Sequence, residues 1–472
     1  MKRLFCLLLL AITTIIALES CAFKNNDSVA QVDSHEHNFN EWITTLESSC
    51  TTDGKKERTC QCGEKEIAKI EATGHVFSEW TTIVEPTCTS SGKKERTCQC
   101  GEKDFCIISA EHTLIDNVCS TCSIEASKGL LFSLNENQDS YSISGIGSCD
   151  SSTIIIPSSY NGLPVTCIAD SAFAYCDKIS SVSFGGNVTK IGNKAFYKCY
   201  TLTRIFISNE TTEIGNSAFE GCTKLSNVTI PDGVTRIGSL AFYGCIYLSD
   251  ISIPNSVTRL GDYAFGYCSK LTSATLGNGV EAIEDKTFYK CSRLETVTLN
   301  ENITYIGTEA FFDCSKLTNI NFSNAIKSIN SYAFYNCYNL EKVLLHEGLT
   351  FIGKYAFYNC EKLTKITIPD SVYTLGDNAF QDCGELKTVV LGRKLKEIGY
   401  KTFYSCSNLV EITIPSSITS IGYEAFYECR RLANVYYTGN KTEWKKITIL
   451  GYNSNLTNAT INYNCISEDH AE

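Results

Sequence analysis

Apolar residues recur along most of this chain with a step of 23, and the step never slips between residues 168 and 434. A cysteine marks it at Cys176, Cys199, Cys222, Cys245, Cys268, Cys291, Cys314, Cys337, Cys360, Cys383, Cys406 and Cys429. A phenylalanine keeps the same step three places earlier, from Phe173 through Phe242 and Phe334 to Phe426. One stretch stands for all. Leu225-Ser226-Asn227-Val228-Thr229-Ile230 alternates as a strand does, with Val228 and Ile230 inward and Asn227 and Thr229 outward. Val234 and Ile237 predict a second buried edge, and Leu240 to Cys245 predicts a short helical turn with Ala241, Phe242 and Cys245 facing in. Such a unit cannot bury its apolar side alone and has to stack on copies of itself, which makes a solenoid of parallel strands. The glycine at 238 recurs at nine of the eleven equivalent positions, and it is read here as a left-handed backbone site, with Glu284 marking an altered turn.

Repeat boundaries follow from the period. Residues 168–434 hold twelve repeats, 129–167 read as an N-terminal cap, 435–465 as a C-terminal cap and 466–472 as a tail. The run Ile253-Pro254-Asn255-Ser256-Val257-Thr258-Arg259-Leu260-Gly261-Asp262-Tyr263-Ala264-Phe265-Gly266-Tyr267-Cys268 resembles the BspA-like branch of leucine-rich repeats, as do residues 140–463 as a whole. That resemblance implies an α/β fold: a right-handed leucine-rich-repeat solenoid with a parallel β-sheet, short helical turns and capping segments. It also implies an exported microbial surface protein that acts by binding, in adhesion to host or matrix proteins.

The N-terminus carries its own signals. Lys2 and Arg3 precede an apolar run from Leu4 to Leu18, the pattern of a secretory signal over residues 1–21, followed by a polar tether over 22–36. Leu18-Glu19-Ser20-Cys21 resembles a bacterial lipobox, which makes Cys21 the lipid-bearing residue; cleavage after Ala22 with free secretion is the rival. The expected location is the cell surface, with the membrane reached only through that lipid.

Residues 37–125 repeat on a shorter scale. His37 to Trp42 is echoed by His75 to Trp80, and Gly54-Lys55-Lys56-Glu57-Arg58-Thr59-Cys60-Gln61-Cys62-Gly63 returns unchanged from Gly92 to Gly101. A worn third copy ends at Cys119 and Cys122, so two to three small Cys-rich β modules of 38 residues are expected. These resemble short His/Trp/Cys repeats of some bacterial surface proteins. Modules this small need a staple. Read copy by copy, Cys50, Cys60, Cys62 and His75 form one Cys3His zinc set, and Cys88, Cys98, Cys100 and His112 form a second. Disulfides are the competing reading for an exported chain with 26 cysteines.

Charge narrows the partners. Residues 1–149 carry 13 Lys/Arg against 21 Asp/Glu and residues 150–440 carry 25 against 27, so neither part has the basic field a phosphate backbone needs. No nucleophile–base pair or phosphate loop interrupts the period, and the solenoid is read as non-enzymatic and free of cofactors. In-register cysteines point the same way, so the ladder is expected to hold buried free thiols, although Cα spacing near 5 Å leaves disulfides open. Candidate contacts to a protein ligand are the outward strand positions that break a Ser/Thr/Asn background: Arg204, Phe206, Lys342, Leu344, Lys365, Val390, Glu411 and Tyr436. The tyrosines that follow the core phenylalanines are read as packing, with glycan recognition as their alternative, and a metal or thiol-redox role for residues 37–125 as another.

Overall fold

The structure, a computed structural model, describes residues 39–465 except 51, 86, 88–91, 109–113, 116–117, 121 and 123–124. Cys21, Cys88 and His112 therefore lie outside the described residues. The chain divides into two compact units. One comprises residues up to 78 together with 97–103, the other residues 79–96 together with those from 104 onward.

The repeated Cys-rich sequences form two three-stranded antiparallel sheets. The first joins Ile43–Leu46, Gly54–Thr59 and Lys65–Ile70, with Lys55 opposite Lys69 and Arg58 opposite Glu66. Its apolar side chains have little to pack on: Ile43 is 60% and Ile67 67% exposed. Cation–π contacts stand in for a core. The Arg58 guanidinium lies 4.7 Å from the Trp42 ring centre and 4.8 Å from that of Phe39, and it pairs with Glu66 across the strands. The second sheet, Thr81–Val84, Gly92–Thr97 and Lys103–Ile108, repeats this with Arg96 over Trp80 at 4.6 Å and paired to Asp104 at 2.6 Å.

From residue 129 onward the chain is a solenoid of parallel strands. Adjacent strands align at a step of 23: Ser181 to Arg204 to Asn227, and Val182 to Ile205 to Val228. A second row runs along the other edge, Lys190 to Glu213 to Arg236 to Arg259. Between the rows lies one continuous core. Phe173, Phe196, Phe219, Phe242 and Phe265 stack with ring centres 5.1–5.4 Å apart, and Phe288 through Phe426 continue the stack. Each rung adds an inward Leu, Cys and aliphatic pair that water barely reaches, so the apolar surface of one repeat is covered by the next. At the front, Leu131–Leu134 turns back antiparallel on Tyr141–Gly145, and Phe132 stacks on Tyr160 at 3.8 Å. At the far end, Asn440 and Glu443 form a capping box on the helix Lys441–Trp444, which packs Trp444 against Tyr437, and Thr460–Tyr463 adds a final parallel strand.

Two expectations need correcting. The turn around the core phenylalanine is not helical; among the described residues the helices are two four-residue segments after residue 440. Its N–H groups alternate instead. Ala241, Tyr243 and Cys245 donate three residues back within the rung, while Leu240, Phe242 and Gly244 donate to Asp262, Ala264 and Gly266 of the next rung. That alternation forces left-handed residues at the 240 and 244 positions of each rung, and side chains as large as Tyr263 and Tyr267 accept it.

The recurrent glycine, in contrast, is not left-handed. A Cβ on Gly261 would sit 2.3 Å from the Ser239 nitrogen, and one on Gly376 2.4 Å from the Gly353 carbonyl carbon. The residue is small because the rung behind is close, not because its φ is positive. The altered turn read at Glu284 is present, and it has a second counterpart. Hydrogen bonding along the second row lapses twice, between Arg259–Leu260 and Ala282–Ile283 and between Thr374–Leu375 and Glu397–Ile398. Both lapses precede a rung whose inward Ala is replaced by threonine. Thr287 and Thr402 are fully buried and donate to the carbonyls of Glu284 and Gly399. The additional hydroxyl needs room and a partner inside a close-packed layer, and it takes both at the adjacent turn.

Candidate functional site

Two surfaces carry the side chains singled out by sequence. The first is the outward face of the strand row. Lys365–Thr367, Thr388–Val390, Glu411–Ile414 and Asn434–Tyr437 pair in order, so Lys365, Thr388, Glu411 and Asn434 form one column. Thr367, Val390, Thr413 and Tyr436 form the column beside it. Lys342 and Leu344 stand one repeat earlier, on the strand Lys342–Leu344. Six of the eight candidates thus lie on five consecutive rungs. Arg204 and Phe206 stand six repeats away from Lys342 and Leu344, about 29 Å at one strand spacing per rung, and form their own pair with the guanidinium 6.0 Å from the ring.

Exposure separates the six. Leu344 is 61% exposed, whereas Val390 and Tyr436 are half-covered by neighbouring strands. Lys342 is exposed, Lys365 and Glu411 half-buried, and the Glu411 carboxylate accepts from the Thr388 hydroxyl at 3.1 Å. The earlier strands Asn227–Thr229, Thr296–Thr298 and Asn319–Asn321 show only Asn and Thr at the same outward places. Tyrosines beside the core phenylalanines form a stacked stripe, with Tyr335 and Tyr358 at 4.4 Å and Phe312 and Tyr335 at 4.7 Å. Burial raises the Tyr335 phenol above its ordinary value. Ion pairs between adjacent rungs edge the solenoid: Lys190 and Arg236 both reach Glu213, and Lys354 reaches Asp377 at 3.0 Å.

The second surface is a cluster of sulfur and nitrogen donors. Cys50, His75, Cys98 and Cys100 bring one ligand atom each to within 4.8 Å of all the others. Cys50 Sγ lies 3.5 Å from Cys98 Sγ, and Cys100 Sγ 3.3 Å from His75 Nδ1. Hairpin geometry explains the convergence. Gly101, at φ +90°, closes the turn with its N–H on the Cys98 carbonyl at 2.9 Å, which points both cysteines of the C-x-C to one side. The bridge between Phe77 and Cys98 then sets His75 beside that turn. Hydrogen bonds from the Cys100 backbone and from His75 hold the Cys98 thiol down to about 6, while hydrogen bonds with Cys98 and Cys100 push Cys50 up to about 11. The donor set could hold a metal ion.

This regroups the sequence reading. His75 joins the C-x-C of its own copy, and Cys50 arrives from the copy before; Cys60 and Cys62 are not in the group. The signal was present in the repeat itself, because Phe39 bridges Cys60 as Phe77 bridges Cys98, so the aromatic opening each copy always meets its own C-x-C.

The ladder cysteines do something else. Eleven thiols, from Cys199 to Cys429, donate to the carbonyl of the phenylalanine 26 residues earlier, with Cys199 to Phe173 at 3.0 Å and Cys268 to Phe242 at 3.3 Å. They are free and buried, and desolvation raises those from Cys222 to Cys429, Cys268 to about 12.

The sequence family described as the BspA type leucine rich repeat region (6 copies) matches over residues 146–272, 235–364 and 350–469. The chain belongs to this BspA-type leucine-rich-repeat family. Its members are typically non-enzymatic scaffolds of the cell surface that bind proteins. Among solved structures, a leucine rich cell surface protein from Faecalibacterium prausnitzii A2-165 is 28% identical, covering 68% of this chain and 97% of its own, with a TM-score of 0.44. A leucine-rich repeat protein from Bacteroides ovatus ATCC 8483 is 26% identical over 71% and 98%, with a TM-score of 0.47. The leucine rich repeat protein of T. pallidum is 32% identical over 40% and 88%, with a TM-score of 0.39. A search of the curated proteins returned no match. Among the described residues, no helix is long and apolar enough to cross a membrane.

Proposed function

We propose that this chain is an exported surface protein whose solenoid binds a protein ligand through the outward strand face around Leu344, without catalysis. The observation that carries the reading is Leu344 itself. A leucine 61% exposed on a rigid strand, with Lys342 on the same strand and Asn321 opposite, is the kind of apolar anchor in a polar surround that dominates protein interfaces. The next four rungs extend it with Lys365, Val390, Glu411 and Tyr436. Both signs of charge beside an apolar anchor favour a protein surface, such as a host or matrix protein, as the partner. Attachment to the cell through a lipid on Cys21 is supported by the Leu18-to-Cys21 pattern, with free secretion as the other route.

The test is binding of the full chain to cells and immobilised matrix proteins. Micromolar binding or tighter is expected, with Leu344→Asp weakening it about tenfold or more while the melting curve stays put. Absence of binding, or equal binding by Leu344→Asp, overturns the assignment of this face. Acid labelling of Cys21 by radioactive palmitate in producing cells checks the anchor separately.

A further inference from the structure

A thiol–imidazole cluster lies in the Cys-rich modules. Three sulfurs and one ring nitrogen are its donors, every pair within 4.8 Å. A zinc ion with Zn–S near 2.3 Å and Zn–N near 2.0–2.1 Å sets its tetrahedral ligands about 3.5–3.8 Å apart. The two separations at hand, 3.5 Å between Cys50 and Cys98 and 3.3 Å between Cys100 and His75, lie within about 0.3 Å of those edges. Hard cations are disfavoured, because calcium and magnesium need oxygen ligands and the group offers none.

Placement supports the same conclusion. Cys98 is 3% exposed and Cys50 half-buried, while Cys100 and His75 lie at the surface, so one side of the set is fixed and the other open to an arriving ion. The tip 97–103 belongs to the same compact unit as Cys50 and His75, although the strand leading to it does not. Backbone pairing holds the tip to Phe77 and Ser78, and apolar packing adds little: Ile43, Ile67 and Val76 of this unit are 60%, 67% and 75% exposed.

We propose that Cys50, His75, Cys98 and Cys100 bind one zinc-class divalent cation as a closed, structural Cys3His site shared by consecutive copies of the repeat. The three thiols give up their protons as the ion enters and the imidazole coordinates neutral, through Nδ1. With four protein ligands no position remains for water, so the site holds chain together and does no chemistry on a substrate. A disulfide between Cys50 and Cys98 would use two of the donors and leave Cys100 and His75 without purpose, which is why the full set argues for metal.

Zinc content of the full chain, produced with zinc present and purified without chelator, is the first measurement. Cys50→Ala and His75→Ala should each lower it by one ion per chain, whereas Cys176→Ala, in the first rung of the solenoid, should not change it. Cobalt(II) in place of zinc should give the intense visible absorption of a four-coordinate thiolate complex, reduced in both site variants. His75 is exposed and covers no core, so His75→Ala removes a donor with little loss of packing, and a far-UV circular dichroism spectrum taken beside the zinc content separates loss of metal from misfolding. Unchanged zinc in both site variants overturns the proposal, as does a Cys50–Cys98 crosslinked peptide from metal-free chain isolated without reductant.

Discussion

Cysteine serves two regions of this molecule in opposite ways. In the solenoid the eleven thiols from Cys199 to Cys429 each donate to the carbonyl of a phenylalanine one rung back, the same contact repeated at every step of 23. In the Cys-rich modules the thiols of Cys50, Cys98 and Cys100 converge on one point from different turns of the chain. Translation copies an environment but cannot make side chains face each other. Convergence needs chain reversal, and only the antiparallel hairpins supply it. A period alone therefore argues for packing, and a hairpin with a C-x-C at its tip argues for a ligand.

The largest effect follows from the ladder. Burial raises the thiols of Cys222, Cys245, Cys268, Cys291, Cys314, Cys337, Cys360, Cys383, Cys406 and Cys429 above their ordinary value. Their contribution is intact below the unfolded thiol value near 9 and is lost as pH climbs from there toward the folded values. In that window the unfolded chain sheds protons the folded one keeps, at a cost of roughly 1.4 kcal/mol per thiol per pH unit. Ten such thiols outweigh the usual stability of a domain. Urea melts at pH 8, 9 and 10 should show a steep fall, and a flat midpoint across that range would sink the picture of protonated buried thiols.

Glycine sharpens the same contrast. Gly261→Ala pushes a methyl into the backbone of the preceding rung, at 2.3 Å from Ser239, and should cost about 3 kcal/mol or more in thermal or urea melts. Gly101→Ala meets nothing within 4 Å and suffers only its φ of +90°, a cost of about 1–2 kcal/mol confined to the hairpin. Equal effects would erase the distinction between a glycine kept for space and one kept for conformation.

That distinction marks what the sequence could and could not show. The period made strand register and core legible, because every rung repeats the same inward Leu, Phe and Cys and a slip would be seen at once. Why Gly238 is a glycine was not legible, since a turn and a close approach leave the same residue at the same step. The turn through Ala241 and Phe242 looked helical because i, i+3 spacing is shared by helices and by alternating bonds to the next rung. On the strand face, Leu344 kept its predicted prominence, while Val390 and Lys365 lost part of theirs to neighbouring strands that a single repeat does not reveal. The donor cluster was half-legible: the repeat displays its thiols and histidines, but grouping them copy by copy missed that Cys50 lies beside the C-x-C of the next hairpin.

A smaller effect isolates the thiol from its volume. Cys268→Ala removes the donor to the Phe242 carbonyl and opens a sulfur-sized gap, for a loss of about 1–2 kcal/mol in urea melts. Cys100→Ala should leave the solenoid's melting unchanged, because Cys100 is exposed and is not one of the residues of the solenoid core. A shift of the solenoid transition in Cys100→Ala would break the separation of the two chemistries.

The least perturbing check changes no residue. Iodoacetamide reacts with thiolates that solvent can reach. In native protein stripped of metal, Cys62 and Cys100 are exposed and should be labelled quickly, whereas Cys222 through Cys406 are 0% exposed and held protonated by burial. Peptide mapping should find ladder labelling at least about a hundredfold slower, appearing only as the rungs open. Because neighbours hold each rung, labelling should begin at the two ends of the ladder and reach Cys291 and Cys314 last. Uniform labelling along the ladder would mean that the rungs open together, and that the thiols report a single cooperative unit rather than a stack of coupled repeats.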